Sequence, residues 1–95
     1  MFPGVFAVGQ NYPNPFNPQT VIPFTLAAAS DVVIRVYDVA GREVGPVFNR
    51  SLEAGDHRFQ WSGADLSTGV YMYRITARSA AGSISSESGR MMLLR

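Results

Sequence analysis

From Thr20 onward, apolar and polar positions alternate along most of the chain. Over residues 20–26, Ile22, Phe24 and Leu26 fall on one side of an extended backbone and Val21, Pro23 and Thr25 on the other, the period of a strand with one buried face. Pro23 has no amide hydrogen to give to a neighbouring strand, which predicts an edge position. Small residues at 27–30 then lead into 31–39, where Val32, Ile34 and Val36 alternate with Val33, Arg35 and Tyr37 in a β-branched run. The segment Asp38-Val39-Ala40-Gly41-Arg42 predicts a hairpin connection, since Gly41 can take the positive φ a tight turn requires.

The pattern continues more weakly. A strand is expected over 43–50, then a turn at 53–56 around Gly55, then a strand in which Phe59 and Trp61 alternate with Arg58, Gln60 and Ser62. After a turn region at 63–69, residues 70–78 place Tyr71, Tyr73, Ile75 and Ala77 on one face and Met72, Arg74, Thr76 and Arg78 on the other, as in a central strand with one wet face. Residues 79–89 are Ser, Ala and Gly-rich and predict either a long hairpin tip or a polar edge strand. Residues 90–95 predict a last strand whose alternate side chains close the core. No helical period competes. About seven short strands separated by turn signals predict an all-β, immunoglobulin-like antiparallel β-sandwich. The whole chain, 1–95, is expected to form one domain, with 1–10 as a lead-in from an upstream domain or linker.

The stretch before the first strand is of another kind. Asn11-Tyr12-Pro13-Asn14-Pro15-Phe16-Asn17-Pro18 carries three prolines, each fixing its own φ and restricting the residue before it, so an ordered, extended loop is predicted.

Composition narrows the function classes. Ninety-five residues with 46% hydrophobic side chains suffice for one core. Eight arginines against seven acidic residues give a net charge of +1, so the chain lacks the basic footprint of a nucleic-acid binder. Cysteine is absent, which removes disulfides, thiolate metal sites and Cys nucleophiles. No apolar run reaches the roughly 20 residues of a membrane helix, and the N-terminus has neither the basic flank nor the apolar core of a signal peptide. An exported parent would therefore carry its signal peptide upstream.

Candidate chemistry is sparse. His57, next to Asp56, lacks the nucleophile and orienting partner of a hydrolytic triad and the spacing of a metal site, and is read as an ordinary turn or strand histidine. Tyr12, Tyr37, Trp61, Tyr71 and Tyr73 could line a sugar-binding platform, but Trp61 and Tyr73 sit in alternating patterns that point into a core. Gly41, Gly55 and Gly69 answer backbone needs at turns, with no strand-to-helix context for a phosphate loop. No enzyme activity and no cofactor are expected.

Several phrases, taken in order, resemble the C-terminal sorting domain of the type IX (Por) secretion system of Bacteroidetes-like bacteria. They are the proline-rich segment 11–18 followed by Thr20, Ile22, Phe24 and Leu26; Val36-Tyr37-Asp38 with Gly41-Arg42 and Val44; Ala54-Gly55 with His57 and Trp61; Ser67 with Gly69-Val70-Tyr71-Met72-Tyr73-Arg74; and Met92-Leu93-Leu94-Arg95. The middle phrases are also similar to the immunoglobulin-like domain of flagellar hook-capping proteins. Where similar sequences follow the Trp with Asp-Gly, this chain has Ser62-Gly63, and Ser62 can still make the local turn hydrogen bond.

The resemblance implies a terminal module that holds an upstream cargo for passage from the periplasm across the outer membrane to the cell surface. There a sortase-like protease commonly removes the module and joins the cargo to surface lipopolysaccharide. The implied partners are the export machinery, the protease and the cargo domain of the same parent chain. Recognition is expected at Gly69, Val70, Tyr71, Met91, Met92, Leu93, Leu94 and Arg95, through an exposed strand edge. The other readings are a carbohydrate-binding or adhesive module and a structural segment of a hook-capping protein.

Overall fold

In the computed structural model, which describes residues 6–94 and their side chains from Ala7, seven antiparallel strands follow one another: β1 (Phe6–Val8), β2 (Gln19–Leu26), β3 (Ser30–Tyr37), β4 (Phe48–Leu52), β5 (Gly55–Ser62), β6 (Gly69–Ser79) and β7 (Ile84–Leu93). A three-stranded sheet ordered β1-β2-β5 faces a four-stranded sheet ordered β4-β3-β6-β7. The chain changes sheet between β2 and β3, between β4 and β5, and again between β5 and β6, the connection pattern of an immunoglobulin-like sandwich. The alternation that predicts the strands also fills the interior. Ile22, Phe24 and Leu26 from β2 meet Val32, Ile34 and Val36 from β3, Tyr71, Tyr73, Ile75 and Ala77 from β6, and Met91 and Leu93 from β7. Each of the larger buried side chains contributes roughly 1.5–3 kcal/mol by leaving water.

Two expectations change. β2 is the middle strand of its sheet, not an edge, and a bulge follows the rung that Pro23 makes with Gly9. Gly9 N–H donates to the Pro23 carbonyl at 2.9 Å, and the next rung joins Tyr12 to Val21 by two bonds of 2.9 and 2.8 Å. Gln10 and Asn11 thus lie opposite Ile22 alone, two residues against one. The amide hydrogen that Pro23 lacks would point toward the Gly9 carbonyl, which instead accepts from the Tyr73 hydroxyl at 3.3 Å.

The strand expected at 43–50 forms at Phe48–Leu52. Glu43 makes one bridge to Tyr37, after which Gly45, at φ +76°, and Pro46 carry the chain away before it rejoins β3 at Phe48 opposite Ile34. The serine-rich stretch 79–89 is mostly strand: after a short turn, β7 pairs with β6 from Ile84 to Leu93. Phe6–Val8, within the expected lead-in, pair with β2.

Two local devices fix the strand ends. Asp38 closes its turn by accepting from the Ala40 and Arg42 amides at 2.9 and 3.0 Å and from Arg42 Nε at 3.0 Å, with Gly41 at φ +86°. These bonds, that from the Arg42 amide above all, hold the carboxyl below its ordinary value. At the start of β6 the Tyr71 hydroxyl donates to the Ser67 carbonyl at 2.7 Å, the tyrosine corner of immunoglobulin-like sandwiches. Tyr71→Phe is expected to cost about 1 kcal/mol by urea denaturation, the worth of one such bond, with the ring still packed beside Trp61. An unchanged midpoint would show that the corner adds nothing.

Candidate recognition surface

The proline-rich loop is a strap over the outer edge of β7. Its inner end is pinned by Asn11, which is buried and donates from Nδ2 to Thr20 Oγ1 at 3.0 Å and to the Pro13 carbonyl at 3.3 Å, while Gln10 Nε2 donates to its Oδ1. Thr20, also buried, donates to the Pro13 carbonyl at 3.0 Å. The peptide bonds before Pro13, Pro15 and Pro18 are cis. Phe16 enters the core at 1% exposure, its ring edge-on to Trp61 with centroids 5.8 Å apart.

From this anchorage the strap pairs with β7. Phe16 N–H donates to the Met92 carbonyl at 2.9 Å and Leu94 N–H to the Phe16 carbonyl at 3.0 Å. Asn14 Oδ1 accepts from Met92 N–H at 2.9 Å, and Gln10 Nε2 donates to the Arg90 carbonyl at 3.1 Å. The prolines on either side of Phe16 have no donor with which to extend the ladder. The outward main-chain groups from the Arg90 carbonyl to the Leu94 amide are therefore occupied, and the strand edge expected to be read is covered.

The sheet does bring together the two phrases expected to be recognised. Gly69 lies opposite Leu93, Val70 opposite Met92 and Tyr71 opposite Met91. Their side chains divide between two faces, however. Tyr71, Met91 and Leu93 point into the core at 7%, 2% and 0% exposure. Val70 and Met92 point outward and are half-buried, Leu94 is exposed, and Arg95 lies outside the described residues. Residues not expected at the site complete this outer face. Tyr37, Met72 and Arg90 share one rung, and Arg35, Arg74 and Ser88 the next. The outward alternation of Met72 and Arg74 along β6 was the available signal; their neighbours on β3 and β7 needed the strand order.

Of the two nearby glycines, Gly63 is explained by close approach. A Cβ on Gly63 would come within 3.0 Å of Leu93 Cδ2 and 3.3 Å of the Trp61 ring, and Ser62 Oγ accepts from Ala64 N–H at 3.3 Å, the local bond expected of that turn. Gly69 has open space around its α-carbon, and nothing in the structure explains why glycine stands there.

The remaining candidates have structural surroundings. His57 stacks on Phe24 at 5.4 Å, and its Nε2 lies 2.7 Å from the Glu53 carbonyl. Trp61, Tyr71 and Tyr73 are buried, while Tyr12 and Tyr37 lie on different sheets. Burial raises the Tyr73 hydroxyl above its ordinary value, opposed by the Asn11 amide. Among the described residues, no three His, Asp or Glu side chains gather as a metal site would need, and no helix is long and apolar enough to cross a membrane.

Comparison with known proteins agrees with this architecture. The family described as the secretion system C-terminal sorting domain matches residues 10–85, from the strap into β7. Among solved structures, dimeric latent PorU from Porphyromonas gingivalis is similar, with a TM-score of 0.77 at 20% identity; the match covers 99% of this chain and 10% of that one. At that identity the likeness concerns the fold. No curated protein sequence matches. With the family's pattern running from the strap through β2 to β6 and into the start of β7, this chain belongs to the secretion system C-terminal sorting domains, the sorting signal of type IX export.

Proposed function

We propose that the domain is a non-catalytic module that directs an upstream cargo of the same parent chain, itself provided with a signal peptide, through the type IX secretion system to the cell surface or the extracellular space. The export machinery of the outer membrane reads the folded domain, and a sortase-like protease then separates it from the cargo. The observation that carries this reading is the family match over residues 10–85. The geometry is in keeping with it. The buried polar side chains Asn11, Thr20 and Ser30 all spend their hydrogen bonds within the fold. β1 begins opposite Leu26, at the end of the sandwich away from Leu93, so a cargo preceding it would leave the paired start of β6 and end of β7 clear.

The test is a fluorescent protein fused ahead of the domain, behind a signal peptide, in a host with the secretion system. The fusion is expected at the cell surface, and its fluorescence retained in the periplasm would count against the reading. Deleting 90–95 would not be a clean control, because it strips Met91 and Leu93 from the core.

A further inference from the structure

We propose that the outer face of the four-stranded sheet, centred on Met72, docks a partner protein presenting apolar side chains rimmed by carboxylates. The inference rests on the sorting reading and names the surface and the partner chemistry for it.

Main-chain recognition along the end of β7 is closed by the strap, which leaves the side-chain face. There Met72 stands between Tyr37 and Arg90 on one rung, with Val70 opposite Met92 on the next. Met72 is 39% and Leu94 47% exposed. Folding does not require apolar residues here, because the face looks onto water and polar side chains would serve equally well in the sheet. A contiguous apolar patch in that setting marks an interaction site.

The charges bordering the patch point the same way. Arg35 and Arg74 are directly opposite each other, an arrangement that costs stability. Arg35 is neutralised by Glu43 at 2.7 Å, whereas Arg74 donates only to Ser86 Oγ at 3.2 Å. Among the described residues neither Arg74 nor Arg90 has a carboxylate partner. Two guanidinium forks left over beside an apolar patch suit carboxylates on a facing protein, and Arg, Met and Tyr are the residues that interface centres favour. An anionic lipid surface would call for a broader basic field; on this face Asp31 lies opposite Arg78 and Glu43 is paired with Arg35, which leaves Arg74 and Arg90 beside the patch.

The experiment uses the cargo fusion described above. Met72→Glu, and separately Arg74→Glu with Arg90→Glu, are expected to lower surface delivery about tenfold or more, as loss of an interface centre does. Thermal midpoints should stay within about 4 °C of the parent, since the changed residues are on the wet face. Ile84→Glu, on the same face but at the far end of β7 and 64% exposed, is expected to leave both delivery and midpoint unchanged. Normal delivery of the folded Met72 and arginine variants, beside normal delivery of the parent, would overturn the docking surface alone. Equal loss with Ile84→Glu would also overturn it. Failure of the parent fusion to reach the surface would remove the sorting reading and the docking surface together. Binding of the purified fusion to phosphatidylglycerol vesicles, abolished by the arginine changes, would assign the face to lipid and overturn the protein partner.

Discussion

Phe16→Ala is expected to destabilise the domain by about 3–5 kcal/mol, the range for removing a large aromatic from a core. Small domains hold only about 5–15 kcal/mol in total, so this change takes a large share of the whole. Phe16 is 1% exposed and edge-on to Trp61, and it is also the strap residue that bonds to both the Met92 carbonyl and the Leu94 amide. Its removal opens a cavity beside Trp61 and Leu93 and frees the strap from β7 at once. Urea denaturation gives the stability loss. Amide exchange at Met92 and Leu94 gives the second effect, since both amides should lose protection beyond the global change once their partners on the strap move away. A loss of less than about 1 kcal/mol, typical of a surface change, would mean that the ring is dispensable and the strap is held by its polar contacts alone.

Gly89→Ala is expected to cost about 3 kcal/mol, at the upper end of what overpacking a filled interior produces. Tyr73 lies opposite Gly89 across the β6–β7 ladder and its ring covers the glycine. An added Cβ would come within 2.4 Å of the ring carbon that carries the hydroxyl. The ring cannot swing aside cheaply, because it is 2% exposed and its hydroxyl reaches over to the Gly9 carbonyl left without a donor by Pro23. One methyl group therefore disturbs the core and the closure between the two sheets together. Gly69→Ala is the matched control: it sits in the same strand pair with no atom within 4 Å of its added Cβ, and is expected to change stability by less than about 0.5 kcal/mol. For a domain of this size each kcal/mol moves the thermal midpoint by about 4–8 °C, so the two variants should separate clearly in a melting experiment. Coincident midpoints would show that Tyr73 yields without cost.

The strap, with the bulge behind it, organises the end of the molecule that the sorting reading singles out. It gives β7 a neighbour on its outer edge, a usual protection against unwanted strand pairing, and leaves the outward side chains of β6 and β7 as the surface on offer. A segment rich in proline suits this duty because each proline fixes its own φ locally, and because the few amides it retains are placed where Phe16 can pair. The polar loop residues are not spare: Asn11 holds the loop against Thr20, and Asn14 meets the Met92 amide.

The alternation of Val32, Ile34 and Val36, and of Tyr71, Tyr73, Ile75 and Ala77, by itself determined the strands and their buried faces. The reason is local: a period of two leaves a half-buried strand only one face to hide. The turn at Asp38 and Gly41 was equally plain, since it is built from bonds within five residues. The ordered phrases likewise carried the family. What only the tertiary structure decided depends on residues far apart in the chain. Pro23 lies in a middle strand, where the hydroxyl of Tyr73 supplies the Gly9 carbonyl with the donor that proline lacks. Asn14 and Phe16 cover the edge of a strand more than seventy residues later. Tyr71, Met91 and Leu93 turn inward while Val70, Met72 and Met92 turn out, and Arg35 and Arg74 become neighbours, once strand order and register are fixed. A linear pattern records which side chains share a face of one strand; which faces lie side by side is set by packing two sheets against each other.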